Sequence, residues 1–251
     1  MNNERIDIFG VPVDVVDFPR ALATVDDILR GDGGGFIAAV NPEKIMRARD
    51  DARLLQALKS AKLLIPDGIG VVWAARWLGL GWPSRVPGAD LMPAICEIGA
   101  AQGRNVFLFG ASPEVNEKVA RILPERYPGL RIGGFQHGYV REPDMPKLVA
   151  DINASRAEIL FVALGSPRQE FWMMQHAPEL SVKVCQGVGG SFDVIAGKVR
   201  RAPALFRRMH LEWFYRLARE PRRLRRQAEL PKFAWRVMRE KWANRSGLAM
   251  N

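Results

Sequence analysis

The residues best placed to do chemistry lie in the stretch 63–70, Leu-Leu-Ile-Pro-Asp-Gly-Ile-Gly. Asp67 is a carboxylate where a short apolar run stops, just ahead of a segment with helical spacing over 71–78. A carboxylate there can accept a proton from a hydroxyl; it can equally cap the first turn of the helix. Asn41 and Gln169 stand in similar places, each where an apolar run gives way to a helical pattern. Either can touch a ligand, and Gln169-Glu170 can also simply open a helix after a proline at N1, Pro167. Arg85 can meet an anion or brace Asp90. Several other chemistries are excluded. The segment Gly187-Val188-Gly189-Gly190-Ser191-Phe192 puts Phe where the dinucleotide fingerprint needs its last glycine, and Gly197-Lys198 is followed by Val199, not Ser or Thr. No Gly-x-Ser-x-Gly elbow occurs. His137, His176 and His210 show no ligand spacing with each other or with the cysteines, and no Asp-x-Asp pair is present. The expectation is therefore a site without a metal and without a cofactor, with the histidines in surface or turn positions.

These groups need a scaffold, and the hydrophobic pattern supplies one. Apolar runs at 36–40, 61–65, 105–109, 158–164 and 182–188 read as buried strands, with a further strand at 131–135. Helical spacing fills the intervals at 18–30, 43–58, 90–102, 113–123, 145–155 and up to His176. Residues 6–15 suit a hairpin turning near Gly10. Strands alternating with helices predict a Rossmann-like α/β fold, with a mostly parallel sheet and helices on both faces. In such a sheet the strand carboxyl ends share one edge, where ligands bind. Asn41, Asp67-Gly68, Gly110-Ala111-Ser112 and Gly165-Ser166-Pro167 are expected to line one crevice suited to a nucleotide or sugar. The glycines of 31–35 precede a strand, so they read as a helix stop and not a phosphate cradle. Trp73 and Trp77, four apart, are expected in the core. The roles of Tyr139 and Asp193 stay open. Cys96 and Cys185 read as reduced core thiols.

Net charge is +10, and its distribution matters more than its size. From Arg200 onward there are 15 Lys+Arg against 4 Asp+Glu, whereas the preceding chain carries 22 against 23. This divides the chain into an α/β domain, 1–200, and a basic helical appendage, 201–251. Such an appendage points to an anionic partner, nucleic acid or membrane. No nucleic-acid-binding motif accompanies the charge, so the membrane is the expected partner. Leu205, Met209, Trp213 and Leu217 form one apolar stripe with Arg208, Arg216 and Arg219 beside it. Lys232, Arg236 and Arg239 share a face next to Trp235 and Trp242, which suits helices lying among lipid headgroups. With that appendage cut near Arg200, a soluble, folded body is expected to remain. No uninterrupted apolar run reaches about 18 residues, so a spanning helix is not expected. The first residues lack a signal-peptide layout. A cytoplasmic protein held on the inner face of the membrane is the expected setting.

Several segments taken together and in order resemble one bacterial family, the WecG/TagA/CpsF glycosyltransferases. They are Asn41-Pro42-Glu43, Pro66-Asp67-Gly68-Ile69-Gly70, Arg85-Val86-Pro87-Gly88-Ala89-Asp90-Leu91 and Val106-Phe107-Leu108-Phe109-Gly110. Next come Tyr127-Pro128, Gly138-Tyr139, Pro167-Arg168-Gln169-Glu170 and Gly187-Val188-Gly189-Gly190-Ser191-Phe192-Asp193. The last are Ala196-Gly197, Arg201-Ala202-Pro203, the segment 211–217 and Glu220-Pro221-Arg222-Arg223. The resemblance implies inverting transfer of a sugar (N-acetylmannosamine, glucose or similar) from a UDP-sugar to a polyprenyl-diphosphate-linked sugar, in synthesis of cell-surface polysaccharides. It implies Asp67 as general base and a C-terminal appendage that completes the site at the membrane. Substrate contacts are expected from Asn41, Gly68, Arg85, Gly110, Arg168 and Gln169, and from the appendage arginines Arg216, Arg222 and Arg223. One departure is Ala39, where the family commonly has Thr. It removes a polar contact and bears on the donor sugar, and it is the one hint of a member that has lost catalysis and serves as a scaffold.

Overall fold

The computed structural model describes residues 3–203, 205, 206, 209, 212–219 and 228–245. Its centre is a six-stranded sheet of β3 (Gly35–Val40), β4 (Leu63–Pro66), β5 (Asn105–Gly110), β6 (Arg131–Gln136), β7 (Ile159–Ala163) and β8 (Val184–Gly187). The spatial order is β4-β3-β8-β7-β5-β6 and every pair is parallel. β3 and β8, the first and last of these strands in the chain, are neighbours. Loops from the two ends of the α/β body therefore meet at one place. Ahead of the sheet, β1 (Arg5–Ile8) and β2 (Val11–Asp14) form an antiparallel hairpin that turns at Phe9-Gly10, both at positive φ. The buried Asp14 holds the hairpin to the sheet: it pairs with Arg5 at 2.7 Å and accepts the Leu64 amide at 2.7 Å.

The period of two along the strands sorts the apolar residues onto two faces. Phe36, Ala38, Leu64, Phe109 and Leu160 belong to one core, and Ile37, Leu63, Ile65, Leu108 and Phe161 to the other. The first face is covered by α2 (Pro42–Asp50), α3 (Ala52–Ser60), α4 (Ile69–Leu78), α7 (Met145–Ala154) and α8 (Arg168–His176). Ile45, Leu54, Val71, Leu148 and Trp172 are their buried contacts. The second face is covered by α1 (Phe18–Arg30), α5 (Gly88–Ala101), α6 (Pro113–Arg126) and the short α9 (Ser191–Ile195), through residues such as Val25, Leu91, Val119 and Phe192. The Rossmann-like α/β reading is borne out, with the strands where the apolar runs placed them. Cys96 and Cys185 are buried and unpaired; burial pushes the Cys96 thiol up to about 12 and Cys185 higher still.

Two further helices follow, α10 (Glu212–Arg219) and α11 (Glu229–Arg245). α11 packs against α2 and α4, and its Phe233 and Val237 are buried in the first core. Phe233 meets Phe9 edge to face at 5.9 Å between centroids, and the Arg236 guanidinium lies over the same Phe9 ring. One face of α11 thus belongs to the body, which the reading of a detachable appendage did not anticipate. Its other face leaves Trp235, Met238 and Trp242 exposed, as Leu205, Met209, Trp213 and Phe214 are in the preceding segment. Among the described residues no helix is long and apolar enough to cross a membrane.

Three expectations are corrected. Trp73 and Trp77 are not core residues: they are 60% and 43% exposed, because α4 packs through Val71, Val72, Ala74 and Ala75. His176 is not a surface histidine but is buried, with its ring against Trp172 and Nδ1 3.2 Å from Glu179. Pro167 is the N-cap of α8, which makes Arg168 its first helical residue.

Candidate functional site

A cleft of about 1000 Å³ opens along the carboxyl ends of β4, β3, β8 and β7. Asp67 enters it directly from β4. Its amide donates to Val40 O at 2.8 Å, and its Oδ2 accepts from the Gly88 amide at 3.3 Å, at the start of α5. Asp67 is not the N-cap of α4, which is Gly68; its carboxylate accepts from the first amide of α5. Gly68 is at φ +130, a conformation that turns the chain from strand to helix and that only glycine adopts without strain. Just beyond it, a Cβ on Gly70 would stand 2.8 Å from Pro42 Cγ, so the first turns of α2 and α4 abut at the cleft.

Asn41 is the N-cap of α2, with its Oδ1 accepting from the Lys44 amide at 2.8 Å, and it also lines the cleft. Behind it lies a network that sequence reading missed. Lys44 Nζ donates to Ala39 O at 2.5 Å and to Glu170 Oε1 at 2.7 Å, with both side chains almost fully buried. Gln169 Nε2 donates to the same Glu170 oxygen at 3.1 Å, and Gln169 Oε1 accepts from the Gly189 amide at 3.1 Å. The loops after β3 and β8 are thereby tied together through the first turn of α8. Burial raises the Glu170 carboxyl, but the Lys44 ammonium, with hydrogen bonds from Lys44, Ser166 and Gln169, outweighs it and holds the group below the usual carboxylate value. Lys44 carried one sequence signal, a cation three residues into a helix whose cap was already singled out.

The remaining expected residues divide. Gly68, Arg85 and Gln169 line the cleft with Asp67 and Asn41. Asp90 pairs with Arg201, which is itself part of the lining. Gly110 and Arg168 fall outside it. β5 lies beyond β7 in the sheet, and Gly110 is a packing glycine: a Cβ there would stand 2.5 Å from the Ala163 backbone. Arg168 is exposed on the outer side of the first turn of α8. Arg216 falls on α10, while Arg222 and Arg223 lie outside the described residues. Ala39 lines the cleft beside the Asp67 carboxylate, since both are neighbours of Gly88. The position where a threonine was expected thus presents a methyl group there.

With Lys44 and Arg201 paired to Glu170 and Asp90, the lining carries Arg47, Arg85 and Arg126 against Glu43 and Asp67, a mildly basic balance suited to an anionic ligand. Among the described residues no group of three His, Cys, Asp or Glu side chains converges. The opposite end of the cleft is apolar, formed by Trp73, Ala74 and Trp77 of α4, Trp213 of α10, and Phe233, Val237 and Met238 of α11.

Comparison with known proteins places this geometry in context. A relative from Bacillus spizizenii is 37% identical over 211 residues, covering 84% of this chain and 81% of the relative. One from Staphylococcus aureus is 32% identical over 242 residues, covering 96% and 94%. Both are named N-acetylglucosaminyldiphosphoundecaprenol N-acetyl-beta-D-mannosaminyltransferase. The model of the Glycosyl transferase WecG/TagA/CpsF family matches residues 6–247, nearly the whole chain, and with relatives at this identity and coverage the protein belongs to that family.

Proposed function

We propose that the protein transfers a sugar, with inversion, from a UDP-sugar to the hydroxyl of a sugar carried on a polyprenyl diphosphate, with Asp67 as general base. The observation that carries this is the Asp67 carboxylate, held by the Gly88 amide at the carboxyl end of β4 in a basic cleft and not standing at the N-cap of α4. The names of the relatives suggest N-acetylmannosamine as the sugar moved and N-acetylglucosaminyl diphosphoundecaprenol as the acceptor. In this mechanism Asp67 takes the proton of the acceptor hydroxyl as its oxygen bonds the anomeric carbon. The bond from that carbon to the donor diphosphate breaks at the opposite face, and UDP leaves with the electron pair. Arg47, Arg85 and the amides at the first turn of α4 meet the charge that develops on it. Asn41 and Gln169 hold the loops that form this pocket. The proposed role of the C-terminal arginines Arg216, Arg222 and Arg223 is to bind the acceptor diphosphate. The exposed Trp235 and Trp242, interleaved with Arg239 and Lys241, hold the protein on an anionic inner leaflet.

The experiment is Asp67→Asn, which keeps shape and hydrogen bonding but cannot accept the proton. Turnover with a polyprenyl-diphosphate-linked N-acetylglucosamine acceptor should fall by about a hundred- to ten-thousand-fold, with donor affinity unchanged. Near-full turnover by this variant would remove Asp67 from the mechanism.

A further inference from the structure

The cleft changes character along its length. Its polar end lies at the strand ends around Asp67, and its apolar end is the groove where α11 runs beside α4. On the α4 side, Trp73 and Trp77 stand with ring centroids 4.9 Å apart and large fractions exposed. Phe233 and Val237 form the base on the α11 side, and Met238 the rim. A UDP-sugar has no hydrocarbon to cover such a wall. We infer that this groove seats the first isoprenyl units of the acceptor, an inference that rests on the acceptor class proposed above.

Three features point to a prenyl chain and not to the bilayer surface. First, the groove is concave and continuous with the basic part of the cleft, so a ligand with a diphosphate and a hydrocarbon tail matches both ends at once. Second, the spacing suits such a ligand. At 1.5 Å per residue Trp77 stands about 14 Å along the helix axis from Gly68, which leaves room for a sugar and diphosphate before the hydrocarbon reaches it, while Trp73, about 8 Å along, lies on the way. Third, the tryptophans that a flat leaflet could reach are different ones: Trp82, Trp235 and Trp242 are 78%, 57% and 77% exposed and none of them lines the cleft. Tryptophan rings bury a large apolar area at low entropic cost, which suits a flexible hydrocarbon.

The test is direct binding of farnesyl diphosphate and of inorganic diphosphate to the full chain and to the Trp73→Ala/Trp77→Ala variant, by titration calorimetry. Both side chains are exposed and α4 packs through other residues, so the variant should fold; its circular dichroism and melting should match those of the parent. The inference expects farnesyl diphosphate to bind the parent at least tenfold more tightly than inorganic diphosphate, and the variant to lose about tenfold or more of that preference. Affinity for inorganic diphosphate should not change. Equal loss for both ligands, or no loss for either, overturns the inference. So does a variant that keeps farnesyl diphosphate affinity but loses co-sedimentation with anionic vesicles, because the pair would then touch the leaflet. This readout is separate from transfer. A prenyl preference without any sugar transfer would sink the proposed reaction and leave the groove standing, whereas transfer with an unaffected double variant would do the reverse.

Discussion

Replacing Lys44 by methionine isolates the charge that ties the floor of the cleft together. Lys44 and Glu170 lie 2.7 Å apart, with side chains 6% and 0% exposed. At that distance, with an effective dielectric constant of about 20, their gross attraction is ~6 kcal/mol. Desolvation of both groups offsets most of this, so the pair adds little by itself. Cutting one partner is different, since a lone buried charge costs ~3–5 kcal/mol, a large part of a typical domain's ~5–15 kcal/mol. The pH dependence gives the test its sign. In the parent the Glu170 carboxyl is held below its ordinary value, with burial opposed and outweighed by Lys44. A depressed folded-state pKa contributes stability above the unfolded carboxyl value, and this is lost as pH falls through the folded one. In Lys44→Met the main lowering cause is gone and burial remains, which lifts the folded pKa above the unfolded one. The deficit of the variant should therefore be largest near neutral pH and shrink as pH falls toward about 5. Urea unfolding of both proteins at a series of pH values measures this. Adding Glu170→Gln to the variant should recover much of the neutral-pH loss, because no buried charge is left. A deficit below about 1 kcal/mol, or one that grows on acidification, refutes the reasoning.

Other outcomes follow from the same geometry. Transfer activity should survive excess EDTA, because the proposed mechanism has the lining arginines and helix-start amides meet the leaving diphosphate; an enzyme silenced by chelation and restored by magnesium or manganese would contradict this. Removing residues 228–251 takes away the buried Phe233 and Val237, at ~1.5–3 kcal/mol for each side chain, so the shortened protein should unfold at markedly lower urea concentration. It should also lose transfer to the lipid-linked acceptor and co-sedimentation with anionic vesicles. Equal stability, or full transfer by the shortened chain, would argue against the role given to α11.

Much of the fold was legible because its strands are short apolar runs ended by Pro, Gly, Asn or Asp, and their alternation with helices leaves few topologies. What the pattern lacks is the lateral order of the strands. Gly110 ends a strand as Asp67 does, yet β7 lies between β5 and β8, and that separation takes Gly110 away from the cleft. The exposure of Trp73 and Trp77 was hidden for another reason. α4 reads Ile-Gly-Val-Val-Trp-Ala-Ala-Arg-Trp-Leu, apolar nearly all round, so no period marks its buried side. The side it buries carries Val71, Val72, Ala74 and Ala75, and the tryptophans are left outward. The Lys44–Glu170 pair was out of reach, since its members are 126 residues apart and only the folded sheet brings α2 beside α8.

The boundary drawn near residue 200 rests on charge, and charge and packing divide this chain differently. Arg201 reaches back to Asp90 on α5, and Phe233 and Val237 enter the core that begins with Ile6 and Ile8. Trp213, Leu230 and Met238 line the cleft beside residues from the first half of the chain. The bonds of Asp67 to the Gly88 amide, of Asn41 to Lys44 and of Gln169 to Gly189 lie within residues 1–200. A body ending at Arg200 would lack the wall opposite Trp73 and Trp77. The carboxylate and its positioning network thus belong to the α/β body, whereas the apolar end of the cleft takes shape only where α11 lies against α4.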